Sequence, residues 1–419
     1  MARNAGFIGR SKTFIVVYLS FFLRAFSFIF LLPILTRIIE PAVWGGVLAA
    51  QSLGTWLALL LDFGFSISLT RKLAVDRENT EAIRQYVGDA YSAKLILFLV
   101  AAFLCVVISH FGALSYFPAL AWWSLAWALA QGISPLWYYQ AVENMYYFSL
   151  LEIAGRLAYI LITLLFVKTS GQAYLIIAFQ ALTLLAVNGV ALFRLSREVG
   201  SFKLSVPGAV RALKEGAVLS GFSIITSVYT AASTLIFSLF ASPTSVSIYG
   251  NADRLVRAGI STIGPLNQVF LPRSSRAFAA SVPQGLSEAK KLLALYLAFS
   301  VFVFAGVWIA APLLTDILFH SNRNETLLYL RWLTLLFPLT SVNTVIVYHI
   351  LIPLGEEKFV TKLYTFVSIV AIAAIILLVS LYGATGMVGA VIIPEVLALL
   401  VLTWKASSIG SSRGVEGYR

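Results

Sequence analysis

Charged side chains occur within two of the chain's long apolar segments, where an ion is costly. Arg24 lies midway along the first apolar segment, and Asp253, Arg254 and Arg257 lie together in the eighth. A charge at the middle of a bilayer costs roughly 2.5–3.5 kcal/mol on insertion scales, so such residues normally face a polar cavity or a partner. Guanidinium groups stay charged and hold phosphate oxygens in bidentate geometry. These arginines therefore indicate a pathway for an anionic substrate, with a diphosphate group as the hypothesis.

Polar residues accompany these arginines at helical spacing. At 100° per residue, one narrow sector of the eighth segment holds Gly250, Arg254, Arg257, Ser261, Gly264 and Gln268, with Asp253 at its edge. In the first segment, Ser20, Arg24 and Ser27 share a face. The residues predicted to contact the substrate are Arg24, Arg254, Arg257, Ser20, Ser27, Ser261, Gln268 and Asn251.

An alternative interpretation of the eighth segment is an internal ion pair. Asp253 and Arg257 are spaced i, i+4, which allows them to pair and lock helix packing. One carboxylate cannot neutralise two arginines, so the cavity interpretation is favoured. Glu152 and Arg156, spaced i, i+4 in the fifth apolar segment, are expected to pair with each other. Glu395 lies near the middle of the last apolar segment and is expected either to pair with an arginine or to carry a coupling proton. The candidates for ion coupling are Glu395, Asp253 and His349.

The elements that must position these residues are membrane-spanning helices. Of the 419 residues, 60% are hydrophobic and only 11% are charged, which excludes a soluble protein. A bilayer core about 30 Å thick needs roughly 20 residues of helix, and a backbone in hydrocarbon must satisfy its own hydrogen bonds. The sequence predicts an all-α polytopic membrane protein with about twelve transmembrane helices.

Polar segments divide these helices into two groups. We expect an N-terminal six-helix bundle at 1–200, a cytoplasmic linker at 201–216 and a C-terminal six-helix bundle at 217–405. The Ser- and Gly-containing tail, 406–419, is expected to be disordered. Most of the 30 Lys and Arg residues fall in segments on the same side as the N-terminus, which predicts that both termini are cytoplasmic.

Other chemistry finds little support in the sequence. The net charge of +12 is explained by cytoplasmic loops that face an anionic leaflet, and nucleic-acid binding is not implied. Cys105 is the single cysteine, and the three histidines stand on separate segments, so neither a disulfide nor a metal site is expected. No Gly-rich phosphate loop is present. We expect a protein that is not an enzyme and holds no cofactor.

Several short runs resemble a known family, the polysaccharide-biosynthesis flippases of the O-antigen (Wzx) type. The first half repeats in the second: Pro41 with Trp44-Gly45 matches Pro243 with Tyr249-Gly250, and Leu69-Thr70-Arg71 matches Leu271-Pro272-Arg273. Repeated halves place a substrate site between them. The runs that carry the resemblance are Ile39–Gly45, Asp62–Phe65, Leu69–Arg71, Trp137–Met145, Ser247–Leu255 and Gln268–Arg273.

The resemblance implies a fold and an activity. The fold is that of the multidrug/oligosaccharidyl-lipid/polysaccharide exporter superfamily, which is MATE-like: two six-helix bundles around a central cavity. Members translocate undecaprenyl-pyrophosphate-linked oligosaccharides from the cytoplasmic to the periplasmic leaflet of the bacterial inner membrane by alternating access. Expected partners are a polysaccharide polymerase and a chain-length regulator. The family's basic cavity residues map onto Arg24, Arg254 and Arg257.

Three other functions compete with this one. A cation-coupled drug exporter of the same fold would prefer acidic cavity residues. A peptidoglycan-precursor lipid flippase would bind a similar headgroup but commonly has more than twelve spans. A membrane polymerase or ligase acting on lipid-linked sugars usually carries a large periplasmic loop, and the loops here are short.

Overall fold

The computed structural model describes residues 2–76 and 79–412, and in these ranges the chain is helical with no strand. A 3₁₀ turn at Ser170–Gln172 and a π-helical turn at Val347–Leu351 complete the regular structure. The helices are α1 Ala2–Ile38, α2 Pro41–Asp62, α3 Phe65–Val75, α4 Thr80–Ile108, α5 Gly112–Ser115, α6 Pro118–Gly132, α7 Leu136–Ala141, α8 Met145–Phe166, α9 Tyr174–Val199, α10 Val206–Thr230, α11 Ser233–Phe240, α12 Pro243–Ser261, α13 Ile263–Ala280, α14 Val282–Leu318, α15 Arg323–Leu333, α16 Leu336–Ile346 and α17 Glu357–Ser412.

Within residues 2–76 and 79–412, eight helical segments are long and apolar enough to cross a membrane. This confirms a multi-pass, all-α membrane protein, while the predicted number of twelve spans is not confirmed. Several expected spans are each built from two helices, for example α6 with α7 and α15 with α16. In contrast, α17 joins two expected spans across Gly383, whose φ of 59° and ψ of −137° interrupt the helical path. Helix α17 also continues through residues 406–412, which were expected to be disordered, and 413–419 lie outside the described residues.

The chain forms two compact units, Met1–Thr244 and Ser245–Arg419. The sequence-based division placed a linker at residues 201–216, which overlaps the first turns of α10. In the structure α10 packs against α2, α3 and α4, and α11 packs against α2 and α5, which places both helices in the first unit.

A serine of α2 separates α10 from α11. The Ser52 hydroxyl donates to the Ala231 carbonyl (2.7 Å) and accepts from the Leu235 N–H (3.1 Å). In a continuous helix that N–H would donate to that same carbonyl. Ser52 is therefore inserted into one i→i−4 bond, which is a recognised cause of a helix kink.

Close helix packing in the first unit depends on small residues. A Cβ built on Gly54 of α2 would lie 2.3 Å from Cε3 of Trp127 on α6, and one built on Gly46 would lie 2.6 Å from Phe117. Without a hydrophobic driving force between helices in lipid, such small residues allow the close van der Waals contact that holds the helices together.

Residues 201–216, the expected cytoplasmic linker, make specific contacts with α4 of the first unit. Arg211 donates to Asp89 of α4 through Nε (3.0 Å) and Nη2 (2.7 Å). The Ser205 N–H donates to Ser92 Oγ (2.9 Å), and Gly88 lies against the carbonyl of Lys203, which a Cβ would approach to 2.4 Å. These contacts fill the corner between α3 and α4 with the chain's own residues.

The second unit has a corresponding corner between α13 and α14. The Phe278 ring packs over Gly285, where a Cβ would approach ring atoms to 2.4 Å. Further along both helices, Ile263, Tyr296 and Val345 form a buried apolar cluster. The two helices are therefore held in contact from their shared turn inward.

The glycine contact in the first unit can be tested by adding one methyl group. We expect Gly54→Ala to destabilise the protein by about 1–3 kcal/mol, because the Trp127 ring has to move. The matched control is Gly306→Ala in α14, where a Cβ meets nothing within 4 Å. Alanine favours the helix by about 0.5–1 kcal/mol over glycine, so the control should be neutral or stabilising. Thermal unfolding of the purified variants is the measurement, and equal midpoints would contradict the packing argument.

Candidate functional site

A polar cavity of about 240 Å³ lies inside the first unit, among segments that are otherwise apolar. Its lining comes from α1, α2, α3, α6, α7, α8 and α9, so helices distant in sequence contribute to it. Four of the lining side chains are formally charged, two positive and two negative. The polar and charged lining residues are Arg24, Thr55, Asp62, Ser66, Gln131, Ser134, Glu152, Arg156 and Asn188.

Arg24 lies in this cavity next to a carboxylate of another helix. Arg24 Nη1 is 3.7 Å from Glu152 Oε1, and the Ser20 hydroxyl donates to Glu152 Oε2 at 2.5 Å. The Arg24 side chain is 44% exposed and that of Glu152 is 12% exposed. Ser27, on the same face of α1, is buried. The distance from Arg24 to Glu152 exceeds that of a direct hydrogen bond, so the pair is oriented without being tightly bonded.

Arg156 supplies a second guanidinium to the cavity. It interacts electrostatically with Glu152, one turn earlier on α8, and with Arg24. Sequence reasoning expected Glu152 and Arg156 to pair within their own helix, whereas the ion pair of Glu152 is with Arg24. Asp62 adds a further carboxylate and accepts a hydrogen bond from Ser66.

The charges that line this cavity are balanced. Its two arginines, Arg24 and Arg156, are matched by the carboxylates Asp62 and Glu152. Helical periodicity found Arg24 and Ser20 but could not find these carboxylates as their neighbours. The available signal was that Glu152 and Arg156 also lie within an apolar segment.

In the second unit, α12 carries the polar stripe as far as Ser261, while Gly264 and Gln268 belong to α13. The ion pair of α12 is formed. Arg257 Nε is 2.8 Å from Asp253 Oδ1 and 2.7 Å from Oδ2, and the Tyr249 hydroxyl donates to Oδ1 at 3.2 Å. The Asp253 side chain is 7% exposed and that of Arg257 is 32% exposed. The internal pair considered from the sequence is thus present, and Asp253 holds Arg257 in position.

The other predicted contacts of this stripe have different environments. Asn251 is buried, while Arg254 is partly buried. The Ser261 hydroxyl donates to the Ala258 carbonyl of its own helix at 2.7 Å. The side chain of Gln268 lies outside the described residues.

Glu395 and His349, the remaining coupling candidates, belong to separate hydrogen-bond networks. Asn343 Nδ2 donates to Glu395 Oε2 at 2.8 Å and to its backbone carbonyl at 3.1 Å. His349 is fully buried, with Nδ1 2.9 Å from Ser274 Oγ and Nε2 3.3 Å from the hydroxyl of Tyr296. It lies in the π-helical turn, a local distortion that often accompanies functional residues.

No group of three or more His, Cys, Asp or Glu side chains in the described chain is arranged to hold a metal ion. The polar groups of the described membrane segments include guanidinium, carboxylate, amide, hydroxyl and imidazole groups and the buried ammonium of Lys94. Such groups bind and release an anion or a proton.

The ion pair on α12 can be measured by a double-mutant cycle with Asp253→Asn and Arg257→Gln. Because Asp253 is buried, we expect a coupling energy of about 1–3 kcal/mol. Arg194 and Glu198 offer a control with the same spacing, since both side chains are about two-fifths exposed. Exposed pairs typically contribute less than about 1 kcal/mol. Unfolding free energies of the four variants in each cycle give the values, and equal coupling in both cycles would refute the buried pair.

Known proteins resemble this chain in sequence. The model of the polysaccharide biosynthesis protein family matches residues 10–278, more than half of the chain. A protein of Shigella dysenteriae named as an O-antigen transporter is 25% identical over 384 residues, covering 90% of this chain and 94% of that protein. One of the same name from Escherichia coli K12 is 23% identical over 369 residues, covering 85% and 88%.

Solved structures resemble it in fold. An inward-facing multidrug-resistance transporter of the MATE family superposes with a TM-score of 0.65 at 13% identity, covering 93% of this chain and 99% of that one. The lipid II flippase MurJ, in an inward closed conformation, superposes with a TM-score of 0.73 at 14% identity, covering 94% and 87%. These similarities confirm the MATE-like fold. The chain belongs to the polysaccharide biosynthesis protein family.

Proposed function

We propose that this protein is a flippase for an undecaprenyl-pyrophosphate-linked oligosaccharide, an O-antigen or exopolysaccharide repeat unit. It would move this lipid from the cytoplasmic to the periplasmic leaflet of the bacterial inner membrane, with both of its own termini cytoplasmic. The observation that carries the proposal is Arg24, a cation in the middle of an apolar segment that lines a polar cavity. The relatives named as O-antigen transporters support the same substrate class.

The arginines provide polar contacts for a charged headgroup that loses its water during flipping. A diphosphate and its sugars cannot cross hydrocarbon without replacing their water, and guanidinium groups provide bidentate donors to phosphate oxygens. Arg24, Arg254 and Arg257 take this role, joined by Arg156. Hydroxyl and amide groups contact the sugars, while the polyprenyl tail remains in the lipid; the residues are Ser20, Ser27, Ser261, Gln268 and Asn251.

Pairing with carboxylates makes the binding reversible. Arg24 faces Glu152, and Arg257 is bonded to Asp253, so neither arginine is an uncompensated charge in the empty protein. An arriving diphosphate exchanges one anion for another at each guanidinium. The carboxylate then competes for the arginine when the substrate leaves, which limits affinity and favours release.

Movement of the bound headgroup requires the protein to alternate between inward-open and outward-open states. Glu395, Asp253 and His349 are the groups that could couple this movement to a proton or sodium gradient. A polysaccharide polymerase and a chain-length regulator are the partners expected to receive the product. The protein itself makes and breaks no covalent bond in this scheme.

A second candidate function is export of a cationic drug or other small molecule. Asp62 and Glu152 in the first-unit cavity favour it, because acidic groups attract organic cations. A solved multidrug transporter shares the fold. The two functions predict opposite effects when arginines are removed, since loss of positive charge weakens binding of an anion and strengthens binding of a cation.

The decisive experiment uses cells that lack the protein and measures lipid-linked oligosaccharide separately in each leaflet. We expect accumulation on the cytoplasmic side, rescue by the wild type and at least tenfold weaker rescue by Arg24→Ala/Arg254→Ala. The control is Arg37→Ala/Arg197→Ala, which removes two positive charges from exposed positions and should rescue. Normal flipping by the Arg24/Arg254 variant refutes the arginine site. Unchanged lipid intermediates with altered drug sensitivity support the exporter.

Exchange of carboxylate for diphosphate makes a separate prediction for Glu152→Gln. The amide keeps the hydrogen bond to Ser20 but no longer competes for Arg24 as an anion. We expect tighter binding of the lipid diphosphate and slower turnover, measured by ligand titration and by flipping rate on the same preparation. Weaker binding in this variant would show that Glu152 contacts the substrate favourably instead of competing with it.

A further inference from the structure

A second polar pocket lies in the second unit, away from the residues considered so far. It has a volume of about 430 Å³ and lies between the last turns of α13 and the first turns of α14. Its lining contains three cations and one carboxylate, a net charge of +2. The polar and charged lining residues are Arg273, Arg276, Gln284, Ser287, Glu288 and Lys291.

The pocket is fixed in shape by internal contacts. Glu288, with a side chain 11% exposed, is 2.5 Å from Arg273 Nε and 3.9 Å from Lys291 Nζ. Arg276 Nε donates to the Pro272 carbonyl at 3.3 Å, which restrains a third cation. Glu288 can neutralise only one of the three positive charges in the pocket. The cations therefore remain available to an anion, and those of Arg273 and Lys291 are 58% and 71% exposed.

The internal repeat allows this open corner to be compared with the matched corner of the first unit. Arg273 matches Arg71, and Lys291 follows Arg273 at the same separation at which Asp89 follows Arg71. In the first unit, Asp89 binds Arg211, and residues 201–216 fill the corner. In the second unit, the matched position is a lysine, and the corner is a pocket. The sign of the charge is reversed, so the two corners favour opposite ligands.

The position of the pocket indicates where its ligand comes from. Helix α14 is a candidate membrane span whose apolar run begins at Leu292, directly after Lys291, so the pocket lies next to the membrane boundary. On the face that continues from Lys291 at helical spacing, Leu295, Phe299 and Phe302 are exposed. A ligand with an anionic head in the pocket can therefore extend an aliphatic chain along these side chains. Basic pockets at such helix ends are suited to phosphate headgroups of lipids.

We propose that this corner pocket binds the phosphate-bearing headgroup of a membrane lipid, with Arg276 and Lys291 as the principal cations. Two lipids share this chemistry: an ordinary anionic phospholipid, and a polyprenyl diphosphate of the class proposed above as the transported lipid. With a phospholipid, the pocket anchors the helix corner at the membrane surface. With a polyprenyl diphosphate, the pocket holds the substrate before it is transported. This second possibility rests on the proposed function.

The test is direct lipid binding to the purified full-length protein in detergent, by native mass spectrometry. The probes are phosphatidylglycerol, undecaprenyl phosphate and, as the zwitterionic control, phosphatidylcholine. We expect both anionic lipids to bind more tightly than phosphatidylcholine, and Arg276→Gln/Lys291→Gln to weaken them on the order of tenfold or more. The matched control is Lys214→Gln/Lys290→Gln, which removes two exposed positive charges outside the pocket and should leave binding unchanged.

A third variant changes the charge in the other direction. Glu288→Gln raises the net charge of the lining, so we expect it to tighten binding of both anionic lipids. Thermal unfolding of each variant shows that it is folded.

Preference for undecaprenyl phosphate over phosphatidylglycerol supports the transported lipid as the ligand, and the reverse preference supports an ordinary phospholipid. Equal weakening by the pocket and control variants, or no preference over phosphatidylcholine, overturns the proposal. Binding is measured without transport, and the pocket variants keep Arg24, Arg254 and Arg257, so a change of phosphatidylglycerol binding in these variants reports on the pocket whether or not the protein is a flippase.

Discussion

The cost of a charge in hydrocarbon governs how this protein is built. In both units, an arginine placed among apolar segments has a carboxylate close to it: Glu152 faces Arg24, and Asp253 is bonded to Arg257. Removing one member of a buried pair leaves an uncompensated charge, which costs about 3–5 kcal/mol. The first pair joins α1 to α8 by charge as well as by packing, and the second lies within α12. In the first unit, Arg24 and Glu152 line a polar cavity, so their charges are not placed in hydrocarbon.

This constraint also shapes recognition. A site made only of arginines would bind a diphosphate tightly and be costly to leave empty. A site in which each arginine already has a carboxylate is stable when empty and binds by exchange. The difference between Arg24, which is 3.7 Å from its partner, and Arg257, which is bonded through Nε to both oxygens of Asp253, suggests unequal exchange costs at the two positions. Arg24 is the easier one to transfer to a ligand.

Features that depend on composition or on one helix alone could be predicted from the sequence. Composition identified the all-α membrane fold, and helical periodicity placed Arg24 and Ser20 on one face that lines or borders a polar cavity. It also identified the possible Asp253 to Arg257 pair. It failed where two helices decide the outcome. Glu152 pairs across to α1 instead of with Arg156, and the choice between these two arginines depends on helix packing that no single-helix pattern contains.

The break between α10 and α11 could not be predicted from the sequence, because it also depends on a contact with another helix. The residues at this break are Thr230, Ala231, Ala232 and Ser233, with neither proline nor glycine to signal it. The cause lies in α2, where Ser52 enters the helix backbone. Likewise, the division of the chain after Thr244 follows from where α10 and α11 pack, which a count of spans does not determine.

The inserted hydroxyl of Ser52 makes this break thermodynamically inexpensive to reverse. With Ser52 in place, the Ala231 carbonyl and the Leu235 N–H are both satisfied through the hydroxyl. If α2 withdrew, those two groups could bond each other directly, and the serine could donate to the carbonyl one turn back in its own helix. Neither of these two backbone groups would be left unsatisfied in either arrangement, a requirement that lipid enforces strictly. The junction between α10 and α11 is thus a place where a bent and a straight path satisfy the same carbonyl and the same N–H.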